Sequence, residues 1–321
     1  MKQVLVTGAD GWLGSRFCEI FSSRFPSVPI RTFQGDLRNP ADCRRFCEGA
    51  RGATLFHTAG VIHPRRVREF YEVNVGGTVN LLDAAIASGV RRAIVISSNS
   101  PCGCNPHPDH LFDEQSPYRP YMNYGRSKML MEQAVQQRQR SGGIETVIVR
   151  APWFYGPRQP SRQTLFFKMV RDGKAPIVGG GENRRSMAYL DNLCEGMILA
   201  ATVERANGQL YWIADKRPYT MNEIVDTIER LLETEFGVAC ARRRLRLPNI
   251  VSQIAWLADK IIQGLGFYHQ KIHVLSEMNK DIACSIAKAE KELGYRPEIE
   301  LEEGMRRSMR WCVEHGVNLK D

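Results

Sequence analysis

The chain has 321 residues, with 44 Lys and Arg against 35 Asp and Glu, a formal charge of +9, and 43% hydrophobic residues. That balance excludes a disordered tail protein and a fibrous repeat, and it suits one large or two unequal globular domains. A surplus of nine over this length is no argument for nucleic acid, because the basic residues are not interleaved with stacking aromatics in a recognisable module.

The elements alternate through the first half. Val4–Thr7 reads as a buried strand, Gly11 to Arg24 as a helix opened by glycines, Val28–Phe33 as a second strand and Pro40–Glu48 as a helix. Thr54–His57 is a strand, Val67 to Ser88 one amphipathic helix, Ala93–Ser97 a strand, Asn123 to Arg140 a long helix and Glu145–Arg150 a strand. Strands separated by helices predict an α/β fold, a doubly wound parallel sheet with right-handed crossovers. After Arg150 helices dominate, at Met221–Leu232, Ile250–Gln263 and Glu302–Glu314. The expected division is a nucleotide-binding domain over 1–160 and a mainly substrate-binding lobe over 161–321, with segments returning to the first domain.

Met1-Lys2-Gln3 runs straight into the first strand, so no secretory leader is read, and no stretch approaches the ~20 apolar residues of a membrane span. Nine scattered cysteines then read as reduced thiols, and a cytoplasmic location is expected. Cys102, Cys104, His107 and His110 bring metal-type donors together, but the spacing is not that of a finger and the stretch is full of turn residues. It is read as a substrate-side loop, with no metal.

Thr7-Gly8-Ala9-Asp10-Gly11-Trp12-Leu13-Gly14 joins the first strand to the first helix. Glycines there allow a tight turn and close approach of backbone to a pyrophosphate, and the helix N-terminus offers N–H groups and a positive dipole. Tyr124 and Lys128 stand four apart on a helix, one above the other. An ammonium beside the phenol is expected to pull the Tyr124 pKa down from ~10, so that Tyr124 gives or takes the proton of a secondary alcohol. Ser97-Ser98 end the preceding strand at the carboxyl edge of the sheet, where α/β sites lie.

With these residues the chain resembles the extended short-chain dehydrogenase/reductase family, in its NAD-dependent epimerase/dehydratase and 3β-hydroxysteroid dehydrogenase-like branch. The resemblance runs through Gly35-Asp36-Leu37-Arg38, His57-Thr58-Ala59-Gly60, Asn74-Val75-Gly76-Gly77-Thr78, Arg150-Ala151-Pro152, Tyr155-Gly156-Pro157 and Tyr189-Leu190-Asp191-Asn192. Near the end it includes Leu293-Gly294-Tyr295-Arg296-Pro297 and Glu302-Glu303-Gly304. It implies Tyr124 as acid/base, Lys128 on the nicotinamide ribose and Ser98 on the reacting oxygen. It implies NAD or NADP held by Gly8, Asp10, Gly11, Trp12, Leu13 and Gly14, with Asp36 and Leu37 at the adenine. Thr58, Ala59 and Gly60 would line the cofactor, Asn74 would brace the site, Pro152 would lie near the nicotinamide, and a homodimer would form through the Tyr124 helix.

Several departures from the family pattern matter. Only 21 residues separate Gly14 from Asp36, so one edge β-α unit is expected to be missing. Arg31 and Thr32 stand where an acid often holds the ribose 2′-hydroxyl; an Arg there suits a 2′-phosphate, Asp36 offers a substitute acid, and the reading leans to NAD. Trp153 replaces the Asn of nucleotide-sugar epimerases, while Arg185 matches their diphosphate-binding Arg. Asn99 and Ser100 follow Ser98 where 4,6-dehydratases carry Asp and Glu, which argues against water elimination. Ser98, Asn99, Ser100, Trp153 and Arg185 are the candidate substrate contacts.

The cluster Arg242–Arg246 precedes a helix whose Ile250, Ile254, Leu257, Ala258 and Ile261 share a face. Such a pair suits a membrane surface; the reading preferred from sequence is a core or lid helix behind a solvated basic loop. The functional expectation is an NAD(P)-dependent oxidoreductase of a secondary alcohol or ketone. Its alternatives are an NAD-dependent nucleotide-sugar epimerase and, further off, an inactive nucleotide-sensing scaffold.

Overall fold

The apolar runs of the first half pair into one sheet in the computed structural model, which describes residues 1–320. In chain order the elements are β1 (Val4–Thr7), α1 (Trp12–Arg24), β2 (Ile30–Thr32), α2 (Pro40–Cys47), β3 (Thr54–His57), α3 (Thr78–Ala87), β4 (Arg92–Ser98), α4 (Met122–Arg140) and β5 (Glu145–Ala151). Then come β6 (Trp153–Tyr155), α5 (Ser161–Arg171), β7 (Pro176–Val178), β8 (Arg184–Arg185), β9 (Met187–Tyr189), α6 (Leu190–Thr202), β10 (Leu210–Trp212), β11 (Tyr219–Thr220) and α7 (Met221–Thr234). The chain closes with β12 (Leu245–Leu247), α8 (Ile250–Gly264), α9 (Gln270–Glu277), α10 (Ala287–Leu293) and α11 (Leu301–Glu314).

The main sheet has the order β2-β1-β3-β4-β5-β10, with every neighbouring pair parallel. Side chains alternate between its faces. Val4, Val6, Phe56, Ile94 and Ile96 pack with Phe17, Phe21 and Leu193 under α1 and α6. Leu5, Leu55, Ala93 and Val95 pack with Phe46, Leu81 and Val135 under α2, α3 and α4. Both faces are therefore covered, as a parallel sheet requires. The strand order reverses beside β1, which opens a crevice at the carboxyl ends of β1 and β3.

On the β2 side, a single helix, α2, leads to β3, so β2 is the sheet edge and no further β-α unit lies beyond it among the described residues. β2 is shorter than the sequence suggests, because the Val28 amide turns back to the Phe25 carbonyl, 3.0 Å. The predicted helix from Val67 to Ser88 also differs. Its first half, Phe70–Gly77, is π-helical and runs into α3. Gly76 and Gly77 weaken α-helix there, and a Cβ on Gly77 would stand 2.8 Å from the Leu37 Cβ.

The later elements form a smaller lobe of two-stranded sheets, β6 with β9, β7 with β12 and β8 with β11. Tyr155, Phe167, Ile224, Ile228, Met305 and Met309 fill it between α5, α7 and α11. α6 and β10 return to the main sheet.

α8 is inside out relative to the preferred sequence reading. Ile250, Ile254, Leu257 and Ile261 are exposed, whereas Ser252, Ala255, Asp259 and Gln263 are buried. The polar face has won because it finds buried partners on α4 and α9, described below. The basic stretch before α8 is largely paired: Arg242 with Glu233, Arg244 with Asp226 and Glu229, and Arg246 on the Gly180 carbonyl.

Candidate active site

The loop between β1 and α1 is a backbone cradle. Gly8 has φ +72°, and a Cβ on Gly14 would lie 2.1 Å from the Gly8 carbonyl oxygen. Thr58 holds the loop's far side, donating to the Thr7 carbonyl at 2.7 Å. Gly11 caps α1 without any side-chain hydrogen bond, and no acid sits in the first turn. The first N–H groups of α1, at Trp12 and Leu13, are therefore directed at whatever enters the loop, which suits a pyrophosphate. Asp10 is exposed at the rim, and Trp12 ties the loop to the smaller lobe through Nε1 and the Pro157 carbonyl, 2.7 Å.

At the sheet edge Thr32 is exposed and Leu37 is buried against Gly77. Asp36 accepts a bidentate pair from Arg38, and the Arg38 hydrogen bonds hold its carboxyl below the usual range. Arg31 does not join them. Its guanidinium donates to the carbonyls of Phe46 and Glu48 at 2.9 and 2.7 Å, closing the end of α2.

The floor of the crevice is locked by a neutral histidine. His57 lies between the hydroxyls of Thr7 and Thr78, at 2.7 and 2.8 Å, and burial pushes its pKa down to about 3, with the charge of Lys128 adding to the effect. Ala59 and Gly60 follow it. Asn74, in the π-helical segment, accepts from the Val61 amide at 2.8 Å and donates to the Val61 carbonyl and to Ser127. The wider π turn thus serves a functional bracket, a common place for such distortions.

Ser98, Asn99 and Ser100 leave β4 as a tight turn, with the Ser98 hydroxyl 3.3 Å from Asn99 Oδ1 and from Ser100 Oγ. Gly125 of α4 lets this turn dock, since a Cβ there would meet the Ser100 carbonyl at 2.4 Å. Tyr124 stands over the turn. Burial pushes its phenol up to about 12, a hydrogen bond from Ser98 opposes the rise, and the charge of Glu277 adds to it. Lys128 is buried and donates to the Ile96 carbonyl at 2.8 Å; burial brings its pKa down to about 8, partly offset by Glu132. The sequence expectation that Lys128 lowers the Tyr124 pKa is therefore corrected. The ammonium donates to β4, Lys128 is not among the groups that set the Tyr124 pKa, and desolvation dominates both.

Lys128 consequently costs stability. Its native form loses the proton near pH 8 and the unfolded chain near 10.5, so the cost is full below the lower value and fades as pH rises to the higher. A drop from 10.5 to about 8 is worth about 3 kcal/mol, less about 1–2 kcal/mol for the Ile96 carbonyl if its donor is lost. Lys128→Met is expected to be about 1–2 kcal/mol more stable than the native protein near pH 7. In guanidinium unfolding at a series of pH values, that advantage should disappear by about pH 10.

Beneath the site Glu132 receives Arg150 in a bidentate pair at 3.0 and 2.8 Å, together with Ser97 at 2.5 Å and Tyr118 at 2.8 Å. Both members of the pair are buried. Pro152 is buried at the end of β5, and Trp153 stands edge-on to Phe166, ring centres 5.9 Å apart. Arg185 is half-buried and donates to the Glu277 carbonyl at 2.6 Å.

The wall formed by α8 and α9 carries residues that sequence reasoning missed. His273 Nδ1 meets Asp259 at 2.7 Å, and its Nε2 lies 3.8 Å from Glu277. Burial works against a charge on His273, yet the Asp259 hydrogen bond and the Glu277 carboxylate hold its pKa above the ordinary value. Gln263 donates to both Asp259 oxygens and accepts from the Asn123 amide at 3.1 Å, immediately before Tyr124. Tyr268 packs on Phe70 and bonds His63, and Phe70 in turn abuts the Tyr124 ring. A signal existed: Ser252, Asp259 and Gln263 form a polar stripe on one helical face.

Cys102 is buried in the main core, and His110 packs its ring on Phe112 and bonds Asn105. Among the described residues no group of three or more His, Cys, Asp or Glu is gathered to hold a metal ion. No described helix is long and apolar enough to cross a membrane.

A glycine cradle at the switch point of a parallel sheet, with a serine and a tyrosine converging beside it, defines a nucleotide-binding α/β enzyme of the short-chain dehydrogenase/reductase class. The chain belongs to the NAD dependent epimerase/dehydratase family, whose model matches residues 4–214. It is 52% identical to the uncharacterized protein y4nL of Sinorhizobium fredii, over 98% of this chain and 96% of that one. It is 29% identical to a 3-beta-hydroxysteroid dehydrogenase of Mycolicibacterium neoaurum, over 100% and 93% of the two chains. The UDP-glucose 4-epimerase of Thermotoga maritima shares the fold, with a TM-score of 0.76, 19% identity and coverage of 98% of this chain and 99% of that one.

Proposed function

We propose that the protein interconverts a secondary alcohol and a ketone with a nicotinamide dinucleotide, and that Tyr124 carries the proton. The observation that supports this most is the docking of the Tyr124 end of α4 on the Ser98–Ser100 turn at the carboxyl end of β4, through Gly125 and the Ser100 carbonyl, with Ser98 close enough to work against the rise of the Tyr124 pKa. A phenol held at about 12 is protonated at neutral pH and is ready to donate to a ketone oxygen. Ser98 would hold that oxygen, while Asn74 and Ser127 keep α4 in place. The nicotinamide supplies or accepts the hydride when bound.

The cradle of Gly8, Gly11 and Gly14 would take the pyrophosphate, with Ala59 and Gly60 alongside. NAD is favoured because Arg31, the cation that would suit a 2′-phosphate, is committed to α2, while Asp36 offers an acceptor for a ribose 2′-hydroxyl. Asn99 and Ser100 bring no carboxyl group to the turn after Ser98, which supports redox chemistry over water elimination. The half-buried pair Trp153 and Phe166 supports a largely apolar substrate, in keeping with the hydroxysteroid dehydrogenase relative.

A second reading, epimerisation of a nucleotide sugar, draws on Arg185 and on the Thermotoga neighbour. One experiment separates the two: mass spectrometry of what co-purifies, followed by a ketone panel with NADH and NADPH. Net oxidation of added NADH by an apolar ketone supports the first reading. Tightly held nucleotide with no net consumption, and inversion of a nucleotide sugar, supports the second.

A further inference from the structure

The outward face of α8 and the turn after it carry a run of exposed large apolar side chains. Ile254 is 62% exposed, Leu265 71% and Phe267 51%, with Ile250, Leu257 and Ile261 all above half. The burial of Asp259 and Gln263 on the opposite face prevents the helix from turning over, so this stripe is fixed outward. An apolar stripe of this size marks an interaction surface.

Charge identifies the partner. Between Phe236 and Ser276 the chain has six cations (Arg242, Arg243, Arg244, Arg246, Lys260 and Lys271) and one acid, Asp259, which is fully buried. Arg242 and Arg244 are neutralised by α7. The cations beside the stripe are different: Lys260 lies 5.1 Å over the Trp256 ring, and Arg66 lies 5.4 Å over Phe267. Apolar side chains flanked by aromatic rings carrying Lys and Arg match the boundary between acyl chains and anionic headgroups. A second copy on this face would bring two such basic rims together with no exposed acid between Phe236 and Ser276 to pair them, which disfavours self-association. At 15 residues the helix is about 22 Å long, enough to lie in a bilayer surface and too short to cross it.

We infer that the α8 face docks on an anionic lipid bilayer. The position has a consequence for the site. Phe267 points outward while the next residue, Tyr268, turns in against Phe70, which touches Tyr124. The bilayer would thus meet the protein two packed rings, Tyr268 and Phe70, away from Tyr124. Docking does not depend on the redox reading, because it is measured without cofactor or substrate.

The test is co-sedimentation of the full chain with vesicles of phosphatidylcholine alone and of phosphatidylcholine mixed with phosphatidylglycerol. Binding to the anionic vesicles is expected. It should fall about ten-fold or more in the double variant Ile254→Gln/Leu257→Gln and several-fold in Lys260→Glu. These side chains are exposed, so the variants should keep the native circular dichroism and unfolding midpoint. No binding to either vesicle, or binding that the double variant leaves unchanged, overturns the proposal. A concentration-dependent dimer that the double variant dissolves would assign the face to a second copy and also overturn it.

Discussion

Tyr124→Phe is expected to lower turnover by about 10²–10⁴-fold while leaving the Michaelis constant within a few-fold of native. Only the phenolic oxygen is lost, and the ring keeps its contact with Phe70, so the fold should be unaffected. Ser98 is no substitute, because an aliphatic hydroxyl donates a proton far less readily than a phenol. The loss should appear in single-turnover reduction of a ketone by NADH, where release of products plays no part. A loss smaller than ten-fold would mean that the proton comes from another group. Glu277, the carboxylate whose charge reaches Tyr124, would then be the next to test.

Glu132→Ala is expected to destabilise the protein by about 3–5 kcal/mol, a large share of the ~5–15 kcal/mol available to a folded chain. Glu132 accepts from Ser97, Tyr118 and both arms of Arg150, and the pair is almost fully closed to water. Removing the carboxylate strands the guanidinium, whose Nη1 already lacks a protein partner. Placing an apolar residue at each position, as in Glu132→Met/Arg150→Leu, should recover most of the loss, because neither charge then remains buried. Urea unfolding of the three forms measures this directly. Equal destabilisation by the single and double variants would show that shape at the site matters and charge does not.

These two residues mark the reach of the sequence. The position of Tyr124 is legible because the pattern is local: a tyrosine near the start of a helix that follows a strand ending in serines. The glycine cradle is legible for the same reason, since a tight turn with close backbone approach admits little else at Gly8 and Gly14. The parallel sheet and the absence of a further β-α unit beyond β2 among the described residues follow from the periodicity and from the distance between Gly14 and Asp36. What was not legible depends on partners remote in the chain. Glu132 is matched to Arg150 by the packing of α4 on β5. Asp259 and His273 meet only because α8 and α9 fold together. That pairing also turned α8 over, against the amphipathic pattern, because buried polar partners outweighed an apolar stripe that solvent tolerates.

The pKa pattern shows the same limit. Spacing alone suggested that Lys128 would lower the Tyr124 pKa, but it did not reveal that Ile96 takes the ammonium and that both groups are desolvated. In the proposed reading Tyr124 starts protonated, the form that donates to a ketone oxygen.

The most direct measurement follows one hydrogen. A secondary alcohol, drawn from the panel that shows activity and carrying deuterium on its carbinol carbon, is mixed with the protein and NAD, and the nicotinamide is recovered and analysed by mass spectrometry. Transfer of deuterium to the nicotinamide ring, abolished in Tyr124→Phe, is the predicted result. Return of all the deuterium to a product of inverted configuration, or its absence from the nicotinamide while the alcohol is consumed, would contradict it.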